Sequence, residues 1–307
     1  MTTPNSDPTE AWPALPFADW KQTCRTLHRW TQMAGKVELA LTPRTNHWWN
    51  VALHANARGL TTTPIPHPRG PFTLEFDLVD HRLRIDLGRG EERDIPLVPQ
   101  SVARFYERFI ATLRELGIEA RIWPMPVEVP DPVRFDRDTA GEYDAEAVGR
   151  FWRVLYQTDE VLREFRARFI GKCSPVHFFW GSFDLCVTRF SGRPAPPRPE
   201  ADSITREAYS HEVSSAGWWP GGGLLDYPDP AFYAYAAPEP AGFSSAPIRP
   251  AGTFYHPEMK IFIYRYDDMR AAPDPRAVLL EFLQTTYEAG ANLAGWDRPA
   301  LERPASS

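Results

Sequence analysis

Apolar positions recur with two periods along this chain, and the places where one period replaces the other outline its elements. Phe17, Trp20, Cys24, Leu27 and Thr31 fall near helical spacing. That run closes at Gly35, and glycine adopts the left-handed conformation after a helix most easily. Residues 37–42 and 47–57 then read as strands joined by a turn at Pro43-Arg44-Thr45-Asn46. Strict alternation makes 72–88 a hairpin, with Phe72, Leu74, Phe76 and Leu78 on one face, Leu83, Ile85 and Leu87 following, and Asp80-His81 at the turn. Val102, Phe105, Tyr106, Phe109, Ile110, Leu113 and Leu116 form one apolar stripe, a helix that Ser101 can cap and Gly117 can end. Residues 118–132 read as a strand leading into a proline-punctuated linker.

The second half repeats this grammar. A long helix is predicted over about 144–169, with Phe151, Leu155, Leu162, Phe165 and Phe169 along it. It stops at Gly171-Lys172 and leads into the apolar run SPVHFFWGSFDL, Ser174 to Leu185, which reads as a central strand. Further strands follow around 185–193, 210–219, 231–237 and 259–266, and Asp274-Pro275 opens a last helix. The fold class expected is α+β, with helices packed on mainly antiparallel sheets. Gly35-Lys36 parallels Gly171-Lys172, and Trp49 stands nine residues before Arg58 as Trp180 does before Arg189. Those parallels suggest two similar halves, 13–130 and 144–298, related by an internal duplication, joined by a linker at 131–143 and flanked by tails at 1–12 and 299–307.

Composition narrows the function classes. Apolar residues make up 43% of the 307, enough for a substantial core, and charged residues 24%. The net charge of −6 comes with no Lys/Arg block, which argues against nucleic acid or an anionic membrane as partner. No signal-peptide pattern opens the sequence, and no stretch approaches the length of a membrane span. Three cysteines without a CxxC pair fit a reducing cytoplasm better than a disulfide framework. Aromatics reach 13%, with 11 Trp, and surplus Trp and Tyr line clefts as well as cores.

Familiar catalytic signatures are missing. His211-Glu212 does not continue as HExxH, no GxSxG elbow occurs, and the Gly-Lys pairs lack the rest of a phosphate loop. The sequence therefore names no cofactor. Among eight histidines, His28, His67 and His81 read as surface residues. His177 lies in an apolar run, where period two sets it opposite Asp184 unless Gly181 bends the strand. His211 and Glu212 are adjacent in a strand, so one can face a cleft while the other supports it. The favoured expectation is a small-molecule, anionic-ligand site in an aromatic cleft between the halves. His177, His211 and Glu212 are its candidate acid–base groups. His47, Trp49, Arg58, Trp180, Asp184, Arg189, Trp218 and Trp219 are its candidate ligand-lining residues, the arginines as anion clamps. A second reading makes His177 and His211, with a carboxylate, a metal set. A third makes Trp218 and Trp219 an exposed docking face for a protein.

Six strings carry a family resemblance: WPALPFADWKQTCRTLHRWTQ, GKVELAL, NHWWNVALHANARGLTTTPIP, HFFWGSFDLCVTRFSGRPAPP, YSHEVSSAGWWPGGG and FYAYAAPEP. Over about residues 11–303 the chain resembles the DUF5996 family. The resemblance implies a soluble bacterial protein and brings no assigned catalytic residues with it.

Overall fold

The computed structural model describes residues 11–222 and 227–304. Most of the two expected tails (1–10 and 305–307) and Gly223 of the glycine-rich turn lie outside the described residues. Helix α1, Phe17–Leu41, runs 25 residues, through Gly35 and through the stretch read as a strand. Gly35 is a packing position and not a stop. A Cβ there would overlap the Trp180 indole, so the missing side chain lets helix and tryptophan meet. The helix ends when Thr42 turns its N–H and its hydroxyl back to the Glu38 carbonyl, at 2.9 and 2.7 Å, just before Pro43.

Residues 46–51 form a 3-10 turn and not a strand, with His47 and Trp48 both left-handed at φ 57° and 60°. Strands β1 (His54–Ala55), β2 (Gly59–Thr61), β3 (Thr73–Asp77), β4 (Arg82–Asp86) and β5 (Glu92–Pro96) build an antiparallel sheet in that order. The expected hairpin is its centre. β5 carries Ile95 as its one buried side chain, too weak a signal for alternation to find. Helix α2, Val102–Glu115, is capped by Ser101 Oγ on the Arg104 N–H at 3.1 Å. The segment 118–134, expected to open as a strand, is irregular, and the presumed linker is tied to α2 by three backbone hydrogen bonds from 100–103 to 138–141.

Helix α3, Ala145–Ala167, covers most of the span expected for it, and Asp144 caps its start by accepting from the Glu146 and Ala147 N–H groups. Strands β6 (His177–Phe179) and β7 (Asp184–Pro194) follow, then a short helix α4 (Ser203–Ala208). Strands β8 (His211–Trp219), β9 (Ala231–Ala237), β10 (Phe254–His256) and β11 (Ile261–Arg265) complete a second antiparallel sheet, ordered β10-β11-β9-β8-β7-β6. Helices α5 (Tyr266–Arg270), α6 (Pro275–Leu293) and α7 (Arg298–Leu301) close the chain. The region read as a C-terminal tail is held down, because Phe169 and Glu302 form a β-bridge.

The architecture is α+β with two antiparallel sheets, of five and six strands. They join at one antiparallel bridge, where Leu53 and Phe178 exchange N–H···O bonds of 3.0 and 2.8 Å. One continuous apolar core runs from Trp12 to Trp296 beneath both. The positions that suggested a duplication fall on unlike elements: Gly35-Lys36 lies inside a helix, and Gly171-Lys172 in a loop between α3 and β6.

Candidate functional site

SPVHFFWGSFDL is a hairpin and not one strand. β6 ends at Phe179, a turn occupies 180–183 with Phe183 left-handed at φ 60°, and β7 starts at Asp184. In register His177 faces Cys186, and Phe179 faces Asp184. Directly opposed residues share a face, so the turn puts His177 and Asp184 on the same side of the sheet. Helix α1 holds that turn. His28 Nε2 donates to the carbonyls of Trp180 and Gly181, at 3.0 and 2.9 Å. His28, expected at the surface, is buried, and burial, then the Arg29 charge, pushes its pKa down to about 3. The Trp180 indole N–H donates to the Val51 carbonyl at 2.6 Å, so Trp180 fastens the seam and lines no cleft.

Alternate residues of the second sheet face opposite ways. Phe178, Leu185, Val187, Trp218 and Phe232 point into the core under the long helices. His177, Asp184, Cys186, Thr188, Ser215, Tyr233 and Tyr235 point to the other, outer face. Beyond the Leu53–Phe178 bridge, the same register sets His54 across from His177, with ring centroids 5.2 Å apart. Trp49 packs on His177 at 6.0 Å and on His47 at 5.5 Å, and His47 meets the edge of His211 at 5.7 Å. Four imidazoles and one indole thus gather where the sheets join.

His47 is the most constrained of them. Its Nδ1 donates to the Glu207 carbonyl at 3.0 Å and its backbone N–H to the Glu207 carboxylate at 3.1 Å. With the proton on Nδ1, Nε2 is free to accept, and Lys172 Nζ donates to it at 2.6 Å. The ammonium also sits over Phe190 and Trp49, at 4.8 and 5.4 Å from the ring centroids. Burial first, then the charges of Lys172 and His211, bring the His47 pKa down to about 4. Burial, with His54 and Arg166 nearby, brings His177 down to about 3. His177 is 1% exposed, and its Nδ1 has no partner. His211 engages Ser210 Oγ through Nδ1 at 3.0 Å.

Further along the outer face, the buried Asp184 carboxylate accepts from the hydroxyls of Ser182 and Tyr233. Tyr233 belongs to β9 and reaches across β8 to do so. Its hydroxyl crosses where Gly217 lacks a Cβ, so a side chain there would collide with it. Burial raises the Asp184 pKa. Glu128 hangs over the turn from the irregular segment, held by Gln32, whose amide bonds Val127 in both directions at 2.8 and 2.9 Å. A Cβ on Gly181 would overlap the Glu128 carboxylate, and burial with the Asp184 charge lifts its pKa to about 7. Thr188 and Ser215 hydroxyls pair at 2.9 Å between the two centres, and Tyr209 and Tyr235 at 3.1 Å.

The structure gathers His47, Trp49, His177 and His211, with Asp184 on the same face, and disperses the other candidates. Arg58 is no anion clamp: it pairs with Asp77 and Asp80 on the first sheet. Arg189 points into the core, 1% exposed, its guanidinium 3.4 Å from the Phe165 ring and donating to the Phe165 carbonyl. Glu212 turns to the opposite face from His211 and pairs with Arg193 at 2.7 Å. Trp218 and Trp219 are 0% and 2% exposed and face opposite ways, so they present no docking surface. Among the described residues, no three His, Cys, Asp or Glu side chains are placed to hold a metal. Cavities of about 250 and 300 Å³ lie elsewhere, beside Ile118 and beside Trp152. Sequence reasoning missed His54, Lys172, Glu207, Glu128 and Tyr233. Lys172 had a visible signal, its glycine partner, which was explained as a helix stop.

A family model, described as a family of unknown function (DUF5996), matches residues 12–303. The chain belongs to this family. No curated protein and no solved structure matches it. No helix among the described residues is long and apolar enough to cross a membrane.

Proposed function

We propose that the outer face of the second sheet, at its junction with the first, binds a small anionic molecule. Lys172 carries the reading. Its ammonium is met by a neutral imidazole and two aromatic faces, and among the described residues it forms no ion pair with a carboxylate. Glu207, which holds the His47 ring, pairs instead with Arg44. An anion arriving at Lys172 would supply the missing counter-charge, with Trp49 as a wall. The imidazoles of His47 and His177 are kept neutral at pH 7, so each holds a lone pair that can accept a hydrogen bond there, and cofactor-independent chemistry at these rings is the matching activity. His211 stays a candidate proton carrier, and Glu207 replaces Glu212 as the residue that orients an imidazole.

Calorimetric titration of the full chain with oxamate, a small carboxylate, and with inorganic phosphate tests this. Saturable binding of either, weakened by salt and abolished by Lys172→Met, is the expected result. Equal heats from wild type and Lys172→Met would refute it.

A further inference from the structure

We infer that Lys172 is an amine nucleophile, and that the anion it receives carries a carbonyl: an aldehyde acid or 2-oxo acid captured as an imine. The inference rests on the anion-site reading above and deepens it. Three features of the geometry separate this lysine from an ordinary surface ammonium. First, its hydrogen-bond partner is a base. His47 Nε2 lies 2.6 Å from Nζ, and the Nδ1 proton is committed to the Glu207 carbonyl. The lone pair on Nε2 therefore points at the proton that Nζ must lose before it can attack.

Second, the backbone is held in an unfavourable shape to put that imidazole there. His47 and Trp48 are consecutive left-handed residues, at φ 57° and 60°. Asn50 Oδ1 on the Thr45 N–H and Glu207 on the His47 N–H hold the turn, at 3.1 Å each. Third, Lys172 keeps an exposed residue surface while its ammonium is partly withdrawn against Phe190 and Trp49. Partial burial favours the uncharged amine, and lowers the Lys172 pKa.

The step balances without a redox partner. Nζ of the neutral amine forms a bond to the carbonyl carbon while the C=O π pair moves to oxygen. His47 takes the proton leaving Nζ and returns it to that oxygen, giving a carbinolamine. A proton from solvent then makes the hydroxyl a leaving group, water departs as the nitrogen lone pair forms the C=N bond, and the N–H proton of the resulting iminium returns to solvent. Amine plus carbonyl gives imine plus water, and hydrolysis reverses it.

The chain supplies its own controls. It has four lysines, Lys21, Lys36, Lys172 and Lys260. Lys36 is buried, and Lys21 and Lys260 are exposed like Lys172. The full chain is treated at pH 7 with glyoxylate and borohydride, which reduces an imine to a stable secondary amine, and each lysine is quantified by peptide mass spectrometry. Lys172 should be labelled severalfold over Lys21 and Lys260, because an amine whose pKa is lowered by burial holds more of the free, nucleophilic form at pH 7. His47→Asn keeps a residue that tolerates the left-handed backbone. It should bring labelling down to the level of the controls and move its pH profile upward. Lys172→Arg should lose labelling while still binding oxamate, which cannot form the imine. Equal labelling of the three exposed lysines, with oxamate still bound, would overturn the nucleophile and leave the anion site standing. Equal labelling with no oxamate binding would overturn both.

Discussion

Both sheets turn one face to the long helices and one away, and the two outward faces differ in what their polar groups do. On the first sheet, charges alternate across the strands: Glu75 opposes Arg84, which opposes Asp94, and Asp77 opposes Arg82. Arg58 adds a further pair to Asp77 at 2.7 Å. Each of these charges has an opposite neighbour, so the face is largely charge-paired within itself, with the Arg84 Nε left short of a hydrogen bond. On the second sheet the outward polar residues are imidazoles, phenols, hydroxyls and one buried acid, set among apolar ones such as Phe179, Phe190 and Trp219. The polar groups bond one another and leave gaps. The His177 Nδ1 has no partner, and the Lys172 ammonium has a base where a carboxylate would neutralise it. Many charges in pairs make a surface; a few polar groups with unmet valence make a site.

The buried aspartate on each outward face, Asp77 and Asp184, is the strongest way to break that distinction. Asp77 accepts from Arg58 and from the N–H groups of Val79 and Asp80, at 2.7, 3.1 and 2.9 Å. Burial alone would raise its pKa, but these donors and the Arg58 charge hold it below the ordinary value. A lowered folded pKa stabilises the fold above the unfolded pKa and is lost as pH falls. Asp77→Asn should therefore cost about 1–3 kcal/mol at pH 7 and less in acid. Asp184 has the opposite sign, because burial raises it. Its ionised form weakens the fold as pH rises through the raised pKa, so Asp184→Asn should leave stability at pH 7 unchanged or higher. Denaturant titrations of both variants at pH 4 and 7 read this; like signs at pH 7 would erase the contrast.

Next in size is the histidine effect. The folded pKa of His177 is about 3, against an ordinary 6.5, so the unfolded chain binds more protons between those values. Stability falls as pH drops below 6.5, by about 2 kcal/mol at pH 5 from this residue alone. His177→Phe, which fills the same apolar slot, should lose about that much less than wild type between pH 7 and 5. An identical acid profile for the two would mean that His177 is not held neutral.

The sequence made the α+β class with antiparallel sheets legible, because alternation over 72–88, the capped stripe at 101–117 and the apolar periodicity over 144–169 are local signals. It misplaced elements whose conformation is decided by a distant partner. Gly35 reads as a stop until Trp180, far along the chain, is seen to need its empty Cβ position. HWWNV has strand composition, but Glu207 and Asn50 hold it as a left-handed turn. SPVHFFWGSFDL looks continuous because its turn, 180–183, is apolar and pinned by His28 from another element. The site divided in the same way. His177 stands out in an apolar run, His211 beside an acid in a string rich in hydroxyls and Trp, and His47 and Trp49 in the stretch of the first half that parallels it; these four converge. The two arginines, paralleled between the halves, and Glu212, adjacent to His211, do not join them: Arg58 pairs with Asp77 on the first sheet, and Arg189 and Glu212 occupy the face opposite the histidines. For Lys172 the one local signal is the glycine before it, and nothing local says that a lysine will rest on an imidazole 125 positions away.

The smallest expected effect belongs to the ladder itself. Arg84 lies 3.6 Å from Asp94 and 3.9 Å from Glu92, in pairs open to solvent. Exposed pairs of this kind contribute about 0.2–1 kcal/mol and fade as salt screens them. Arg84→Ala should therefore lower stability by that amount in dilute buffer and by almost nothing in molar salt, with anion binding at Lys172 unaltered at either salt relative to wild type. The ladder and the site share no side chain, and the sheets meet between them through the backbone bridge of Leu53 and Phe178 and the His54–His177 ring contact beside it. A change in oxamate affinity caused by Arg84→Ala would show that the first sheet's charges act on the second sheet's outer face through that junction, and the two faces could no longer be treated as independent.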